Sequence, residues 1–289
     1  MSETKVKIVT VATDTKYYLP YLQETIYKKN NELVILGYGE KWQGFSWKYK
    51  LMIDYLKTLN EEDIVCFVDG YDVICTRDLR QFSSVFLKMC QEHKCKIIVG
   101  YERHINDIFK YVASLYFGKC KNMPLNSGTY VGYSKDLLKI VNDMYILNNP
   151  LKDDQVLMND YCMKNPNDIY IDKHSELFLT ICDTYTNIKP NNELIIKNNT
   201  VFYNNEQPFF IHGFGNSYMD NILMLLGYEN VNVGLDIQKG FYENMYYKVY
   251  SFCYNNFFYI ILIIVMCLLI VFLYKKYSLK KRIGNRKRR

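Results

Sequence analysis

Short apolar runs alternate with longer amphipathic segments over the first 230 residues of the chain. Runs rich in β-branched residues are too short for helices and predict strands at 5–12, 33–36, 64–68, 96–100 and 169–172. Apolar positions at helical spacing predict helices at 18–28, 47–59, 79–89, 105–116, 135–147 and 153–162. This alternation predicts an α/β fold with a mainly parallel central sheet and flanking helices.

The run at 64–68 is the most informative, because acidic residues follow it directly. Asp69 and Asp72 stand three residues apart just beyond this strand, and open α/β sheets bind ligands at the carboxyl ends of their strands. Mn²⁺ or Mg²⁺ would offset the repulsion between the two carboxylates and still coordinate diphosphate oxygens. An acidic, glycine-containing turn without a metal is the competing interpretation.

A second candidate metal ligand occurs near the end of the folded region. The apolar run 209–211 predicts a strand that leads into His212, and glycines follow at positions 213 and 215. An imidazole at a strand end could complete a metal site already held by two carboxylates. A histidine on its own is more often structural.

Five further residues have two interpretations each. Trp42, in a glycine-rich loop at 36–44, could cover a planar ligand such as a base or cap the edge of the core. Lys48 could meet a phosphate or be solvated. Asn126, in a predicted polar turn that leads into a strand, could bind sugar hydroxyls or simply form the turn. The carboxylates of Asp153 and Asp154 could act on a substrate or stabilise a helix N-terminus.

Charge and cysteine usage narrow the function classes. The formal charge is +6, but 9 of the 36 basic residues lie in 275–289 without any acid, which leaves 27 basic against 30 acidic residues in the body. A body without a basic excess disfavours nucleic-acid binding. Nine cysteines without a CxxC pair disfavour structural zinc, and their odd count fits a reducing compartment better than an oxidising one.

The C-terminal region predicts a membrane anchor. Residues 257–273 carry no charge, Tyr274 extends this run, and the basic tail at 275–289 follows. We therefore predict a transmembrane helix at 257–274, in a membrane of the endoplasmic reticulum type. The basic tail favours a lumenal position for the large domain, whereas the lack of an N-terminal secretory signal favours the cytosol.

Six motifs together resemble the glycosyltransferase domain of procollagen lysyl hydroxylases, over residues 5–230 and in the order of that family. They are Thr-Val-Ala-Thr at Thr10 to Thr13, Leu-Gly-x-Gly-Glu-x-Trp-x-Gly at Leu36 to Gly44, Phe-Val-Asp-x-Tyr-Asp at Phe67 to Asp72, Leu-Asn-Ser-Gly at Leu125 to Gly128, Asp-Asp-Gln at Asp153 to Gln155 and His-Gly-x-Gly at His212 to Gly215.

The resemblance implies a GT-A type nucleotide-sugar transferase fold at 1–235, followed by a juxtamembrane connection at 236–256. It also implies a role for each motif residue. The metal ligands would be Asp69, Asp72 and His212; the donor-binding residues Thr10, Val11, Trp42, Lys48, Tyr71, Gly213 and Gly215; and the residues on the donor-sugar and acceptor side Asn126, Asp153 and Asp154.

The activity implied is the Mn²⁺-dependent transfer of glucose or galactose from UDP-glucose or UDP-galactose to a hydroxyl group. The acceptor would be a protein, such as hydroxylysine in a collagen-like chain, and the lipid bilayer would be the second partner. Phe214 and Tyr218 depart from the family, which has an asparagine and a lysine there. An inactive member that serves as a binding or scaffold protein is the alternative. A phosphatase or nuclease that uses the same carboxylates fits the other motifs poorly.

Overall fold

The computed structural model describes residues 5–103, 117–146, 153–181, 194–197, 199–213 and 217–234. In the C-terminal segment it describes residues 265–268, 270 and 274. The chain divides into two compact units, Met1–Ile237 and Gln238–Arg289. The strands and helices given below belong to the first unit.

The secondary structure follows the predicted alternation. The strands are β1 (Lys7–Val11), β2 (Leu33–Leu36), β3 (Ile64–Val68), β4 (Val73–Cys75), β5 (Ile97–Tyr101), β6 (Leu125–Tyr133), β7 (Ile169–Asp172), β8 (Phe178–Ile181), β9 (Leu194–Lys197), β10 (Thr200–Tyr203) and β11 (Phe210–Gly213). The helices are α1 (Leu19–Lys28), α2 (Phe45–Leu56), α3 (Phe82–His93), α4 (Ser134–Ile146), α5 (Asp154–Lys164) and α6 (Asp220–Leu225), and a 3-10 turn, Leu79–Gln81, precedes α3.

Six strands form the central sheet in the order β2–β1–β3–β6–β5–β7. β1 pairs in parallel with β2 and β3, β5 pairs in parallel with β7, and β6 runs antiparallel to its neighbours β3 and β5. The prediction of a mixed α/β fold with a mainly parallel central sheet is therefore confirmed.

The two faces of the sheet are covered by different helices. Alternate residues of β3 enter two hydrophobic clusters, with Val65 and Phe67 in one and Cys66 and Val68 in the other. The first cluster takes apolar residues from α2, α4 and α5, and the second takes them from α1 and α3. β3 is buried along its whole length, as its continuous apolar run predicted.

A second, three-stranded sheet has the order β4–β11–β8. β4 begins directly after Asp72, and β11 pairs with it antiparallel so that His212 lies opposite Val73. Neither β4 nor β8 was predicted from the sequence. The pairing of β4 with β11 brings His212 next to the acidic loop that follows β3.

The prediction of a polar turn at Asn126 was wrong. Residues 126–128 belong to β6 and are buried. The β5–β6 register shifts at Gly100, which opposes Asn126, whereas Val99 opposes Tyr130. Because this irregularity accommodates the small polar residues, residues 126–128 extend the strand instead of ending it. Residues 194–203 also contain strands that the sequence did not predict, because β9 and β10 form an antiparallel pair there.

Cysteine pairing differs from the expectation of a chain without a disulfide framework. Cys120 and Cys162 form a disulfide with Cα atoms 5.6 Å apart, across a sequence separation of 42. Irregular cysteine spacing cannot reveal such a pair, because the fold alone brings the two positions together. Cys66 is a free, buried thiol in β3.

Two predicted helices fall wholly or largely outside the described residues. The helix predicted at 105–116 is one. The membrane span predicted at 257–274 is the other, and its described residues 265–268, 270 and 274 are helical. Among the described residues, no helix combines the length and apolar composition that crossing a bilayer requires.

Candidate active site

Three predicted metal ligands come together at the carboxyl end of β3. One ligand atom from each of Asp69, Asp72 and His212 lies within 4.8 Å of the others. Nε2 of His212 is 3.3 Å from Oδ2 of Asp72 and 3.9 Å from Oδ2 of Asp69. Asp69 follows β3, Asp72 precedes β4, and β11 carries His212 alongside β4, so the two sheets assemble this cluster.

Asn126 fixes the orientation of the His212 ring. Its Oδ1 accepts a hydrogen bond from the backbone N–H of Gly128 at 3.0 Å and lies 2.8 Å from Nδ1 of His212. Because the Gly128 N–H can only donate, the amide atom there is the oxygen, and Nδ1 of His212 must carry a proton. Nε2, which faces the two carboxylates, is then the nitrogen available to a metal ion.

The two carboxylates also control the charge of His212. Burial by itself would lower the pKa of His212, but the negative charges of Asp72 and Asp69 raise it, and the net pKa lies above its ordinary value. A positive charge is thus favoured between the carboxylates, as expected of a cation site.

Gly128 makes room for this cluster. A Cβ atom at this position would overlap Cε1 of His212 and would lie 2.6 Å from Oδ2 of Asp69. The backbone of β6 also binds the cluster directly, because the N–H of Asp69 donates to the carbonyl of Gly128 at 2.8 Å. A side chain here would therefore displace two of the three candidate ligands.

Replacing Gly128 with alanine should weaken metal binding. We expect Mn²⁺ affinity, measured by calorimetry, to fall by about 10-fold to 100-fold because the ligands must move apart. Gly132→Ala is the matched control: it lies in the same strand, and its Cβ would lie 2.6 Å from Ile97, away from the ligands. That variant should be less stable but bind Mn²⁺ with wild-type affinity. Equal affinities for both variants would contradict this role of Gly128.

Lys48 is buried, which corrects the interpretation that it is solvated. Its Nζ lies 2.8 Å from Oδ1 of Asp69 and 2.6 Å from Oδ2 of Asp154, and the residue is 5% exposed. Burial would lower the pKa of Lys48, but Asp154 and Asp69 raise it, and the net pKa is above its ordinary value. A permanent ammonium group therefore links the metal-ligand cluster to α5.

Asp153 and Asp154 open α5 side by side but in different environments. Asp153 caps the helix, with its Oδ1 accepting from the N–H of Gln155 at 2.9 Å. Burial, followed by the charge of Asp154, raises the pKa of Asp153 to about 6. Asp154 is held by Lys48, and its backbone carbonyl accepts from the Tyr49 hydroxyl at 3.0 Å. Asp153 therefore stabilises the N-terminus of α5, and the pair is also placed where it can act on a substrate.

Glu102 is a site residue that the sequence reasoning missed. It is 3% exposed, and its Oε2 accepts hydrogen bonds from Nε2 of Gln155 and, at 3.5 Å, from Nδ2 of Asn126. Burial raises the pKa of Glu102 to about 6. No motif contains Glu102; its acidic character directly after a predicted strand was the available signal.

Glu102 should make stability depend on pH. Because its pKa is raised in the fold, its stabilising contribution is fully present below the unfolded pKa of about 4.3 and is lost as the pH rises through about 6. We expect Glu102→Gln to gain stability relative to wild type by about 1 kcal/mol between pH 5 and pH 8 in urea unfolding. Glu62→Gln, at an exposed position, should show no such gain. A pH-independent difference for Glu102→Gln would contradict the prediction.

The predicted donor-binding residues surround the acidic loop. The Tyr71 hydroxyl donates to Oδ1 of Asp14 at 2.9 Å and accepts from the N–H of Thr13 at 2.9 Å. Thr10 is buried, with a hydroxyl that has no partner among the described residues, and a Cβ at Gly70 would lie 2.9 Å from that hydroxyl. Val11 is buried at the end of β1.

The remaining donor-binding candidates differ in exposure. Trp42 is 47% exposed and packs edge-on against the buried Trp47, with ring centroids 5.6 Å apart. Its exposed surface is available to a planar ligand. Gly213 is buried in β11, and its N–H donates to the carbonyl of Asp72 at 2.8 Å. Gly215 lies outside the described residues.

The donor set fits a divalent cation. Two carboxylates and one imidazole, with Nδ1 already bonded to Asn126, are ligands that Mn²⁺ accepts readily. The space that Gly128 leaves beside Asp69 and His212 supports the same conclusion. Asp69, Asp72 and His212 would hold the ion, and Asn126 would orient the imidazole.

Two curated proteins share sequence similarity with this chain. The chain is 28% identical to the Drosophila melanogaster procollagen-lysine,2-oxoglutarate 5-dioxygenase over 237 residues. The match covers 75% of this chain and 31% of that protein. The chain is also 28% identical to the Caenorhabditis elegans multifunctional procollagen lysine hydroxylase and glycosyltransferase over 149 residues. The match covers 46% of this chain and 20% of that protein. The chain therefore spans less than a third of the length of either curated relative.

A solved glycosyltransferase involved in the glycosylation of the major capsid of PBCV-1 is also similar. The match covers 77% of this chain and 99% of that structure, at 12% identity and a TM-score of 0.47. The PLOD GT domain family model matches residues 2–232, which include all the described candidate site residues. On this match, the chain belongs to the PLOD GT domain family of glycosyltransferase domains.

Proposed function

We propose that residues 1–235 form a GT-A type transferase that moves glucose or galactose from a UDP-sugar to a hydroxyl acceptor, with Mn²⁺ or Mg²⁺ as its metal. The observation that carries this proposal is the cluster of Asp69, Asp72 and His212 at the carboxyl end of the central strand. Sheets of this kind bind their ligands at that edge, and the chain belongs to a family of glycosyltransferase domains.

The metal would supply positive charge to the diphosphate of the leaving UDP. The residues of the chain prepare the site for it. Asn126 keeps a proton on Nδ1 of His212, so that Nε2 faces Asp69 and Asp72. Lys48 holds the Asp69 carboxylate from its other oxygen. Because these five side chains are held in place before the donor arrives, little reorganisation is needed during transfer.

On the acceptor side, we assign the acidic pair two different tasks. Asp154 is paired with Lys48 and stays in place as an anion. Asp153 has a pKa of about 6, near the range of a general base that works at neutral pH. In this proposal Asp153 takes the proton of the acceptor hydroxyl as that oxygen bonds to the anomeric carbon.

Tyr218 is the residue that supports the alternative function, a binding or scaffold protein that does not catalyse sugar transfer. Its ring lies directly against Gly234, at a position where the resemblance implied a lysine for the diphosphate. A tyrosine there provides no positive charge. Donor binding would then depend on the metal-ligand cluster and Lys48, which the assay below tests directly.

The acceptor and the membrane anchor are further parts of the proposal. Both curated relatives carry procollagen lysine in their names, which supports a hydroxylysine of a collagen-like protein as acceptor. The uncharged run at 257–274 and the basic tail behind it support a single-pass anchor in a membrane of the endoplasmic reticulum type. Glycosylation at Asn198, which begins an Asn-Asn-Thr sequon, would place the catalytic domain in the lumen.

UDP release by the full chain tests the proposed function. We expect release from UDP-glucose or UDP-galactose with Mn²⁺, and none after chelation. UDP binding without release from any UDP-sugar in the panel, with a hydroxylysine peptide present, would favour the scaffold alternative. No Mn²⁺-dependent UDP binding at all would overturn the enzyme proposal.

A further inference from the structure

Helix α5 carries the acidic pair at its first turn and a disulfide near its end. Asp153 is its N-cap and Asp154 its first residue, and Cys162 is bonded to Cys120. Eight residues separate Asp154 from Cys162, which corresponds to about 12 Å along the helix axis. Both cysteines are 0% exposed, so the bond lies within the core.

Cys120 belongs to the segment that leads into β6. Its backbone exchanges two hydrogen bonds with Met123, of 3.0 and 2.8 Å, across an isolated β-bridge. β6 begins at Leu125 and carries Asn126 and Gly128, which orient and accommodate the metal ligands. The disulfide therefore joins the helix of the acidic pair to the segment that precedes β6.

The first turn of α5 meets the site through polar contacts. Asp154 binds Lys48 at 2.6 Å, and Gln155 donates to the buried Glu102. Such contacts depend strongly on distance and direction. An α-helix of 11 residues is a short rod, so a covalent bond near one end limits how far the other end can move.

We propose that the Cys120–Cys162 disulfide is a positioning element that holds Asp153 and Asp154 in register with Lys48 and is needed for full transferase activity. This inference rests on the proposed function. The bond forms when the two thiols give two electrons and two protons to a protein or glutathione disulfide, which is reduced to two thiols. The metal ligands stand beside β3, β4 and β11, outside the bridged elements, and keep their places without it.

The test compares the full chain with a Cys120→Ala/Cys162→Ala double variant. The matched control is Cys90→Ala/Cys95→Ala, which removes a pair of free thiols with Sγ atoms 3.6 Å apart, neither of them on α5 or β6. Intact mass after alkylation in denaturant counts the disulfides. UDP release gives kcat and KM, calorimetry gives Mn²⁺ affinity, and hydrogen exchange reports on the amides of α5.

We expect kcat of the Cys120→Ala/Cys162→Ala variant to fall by about 10-fold to 100-fold, because small misplacements of reacting groups have effects of this size. Mn²⁺ affinity should stay within about twofold, and the α5 amides should exchange faster, since the helix has lost its covalent tether. The control should match wild type in all three measurements.

Three results would overturn the inference. They are an unchanged kcat with unchanged α5 exchange, two free thiols at these positions in the active wild type, and a double variant that does not fold, which would mean that the bond supports the whole domain. Failure of the proposed function can be distinguished from failure of this inference. If wild type releases no UDP, hydrogen exchange still shows whether the disulfide restrains α5.

Discussion

Replacing Asp72 with alanine is expected to abolish Mn²⁺-dependent UDP release. Asp72 provides the carboxylate nearest to His212, at 3.3 Å, and His212 and Asp69 are the other two residues of the cluster. Without Asp72, two ligands and one negative charge remain, too few to hold a hard divalent ion firmly. We expect Mn²⁺ affinity and kcat/KM each to fall by more than about 100-fold, since even substitutions outside the first shell of ligands reach that size.

The Asp72 experiment has an internal control in Asp54→Ala. Asp54 lies on the exposed side of α2, so removal of its carboxylate should change neither metal affinity nor rate. Urea unfolding without metal should show that Asp72→Ala still unfolds cooperatively, so that a loss of affinity reflects the missing ligand. Wild-type affinity for Mn²⁺ in Asp72→Ala would contradict the assignment of Asp72 as a metal ligand.

Lys48→Met should have the second largest effect, on both stability and rate. Lys48 pairs with Asp69 and Asp154 in a buried position, and loss of one partner from a buried ion pair typically costs about 3–5 kcal/mol. The side chain of Asp69 is 31% exposed, so water will moderate part of that cost. We expect a loss of about 3 kcal/mol in unfolding free energy without metal.

Added Mn²⁺ should restore part of the stability lost in Lys48→Met, because a cation beside Asp69 replaces some of the missing charge. The rate should remain low, since Asp154 would still lack its partner. Lys135→Met is the matched control: it breaks an exposed ion pair with Glu62, which should cost less than about 1 kcal/mol. Equal losses of stability in the two variants would contradict the central role of Lys48.

The parts of the fold that depend on local sequence were predictable. β2 and β3 were predicted to the residue, because a β-branched apolar run of four or five residues has few other stable conformations. The place of Asp69 and Asp72 followed from β3, since ligand sites form at the carboxyl ends of such strands. His212 was a sound candidate because a strand and two glycines framed it.

The parts that depend on long-range pairing were not predictable. Asn126 has the local character of a turn, yet it lies in β6 because it pairs with Gly100 of β5 beyond a shift of register. Its contact with His212 joins residues 86 positions apart. The burial of Lys48 between two carboxylates depends in the same way on α5, and Glu102 had no motif to mark it.

The antiparallel pairing of β4 with β11 determines when in synthesis the site can form. Residues 69 and 72 leave the ribosome about 140 residues before residue 212, so the nascent chain carries the two carboxylates without the imidazole while most of the strands of the central sheet are already made. Closing so long a loop is slow and comes late in folding. We therefore expect a chain that stops before β11 to lack the imidazole and to bind Mn²⁺ weakly, so that metal binding marks a completed domain.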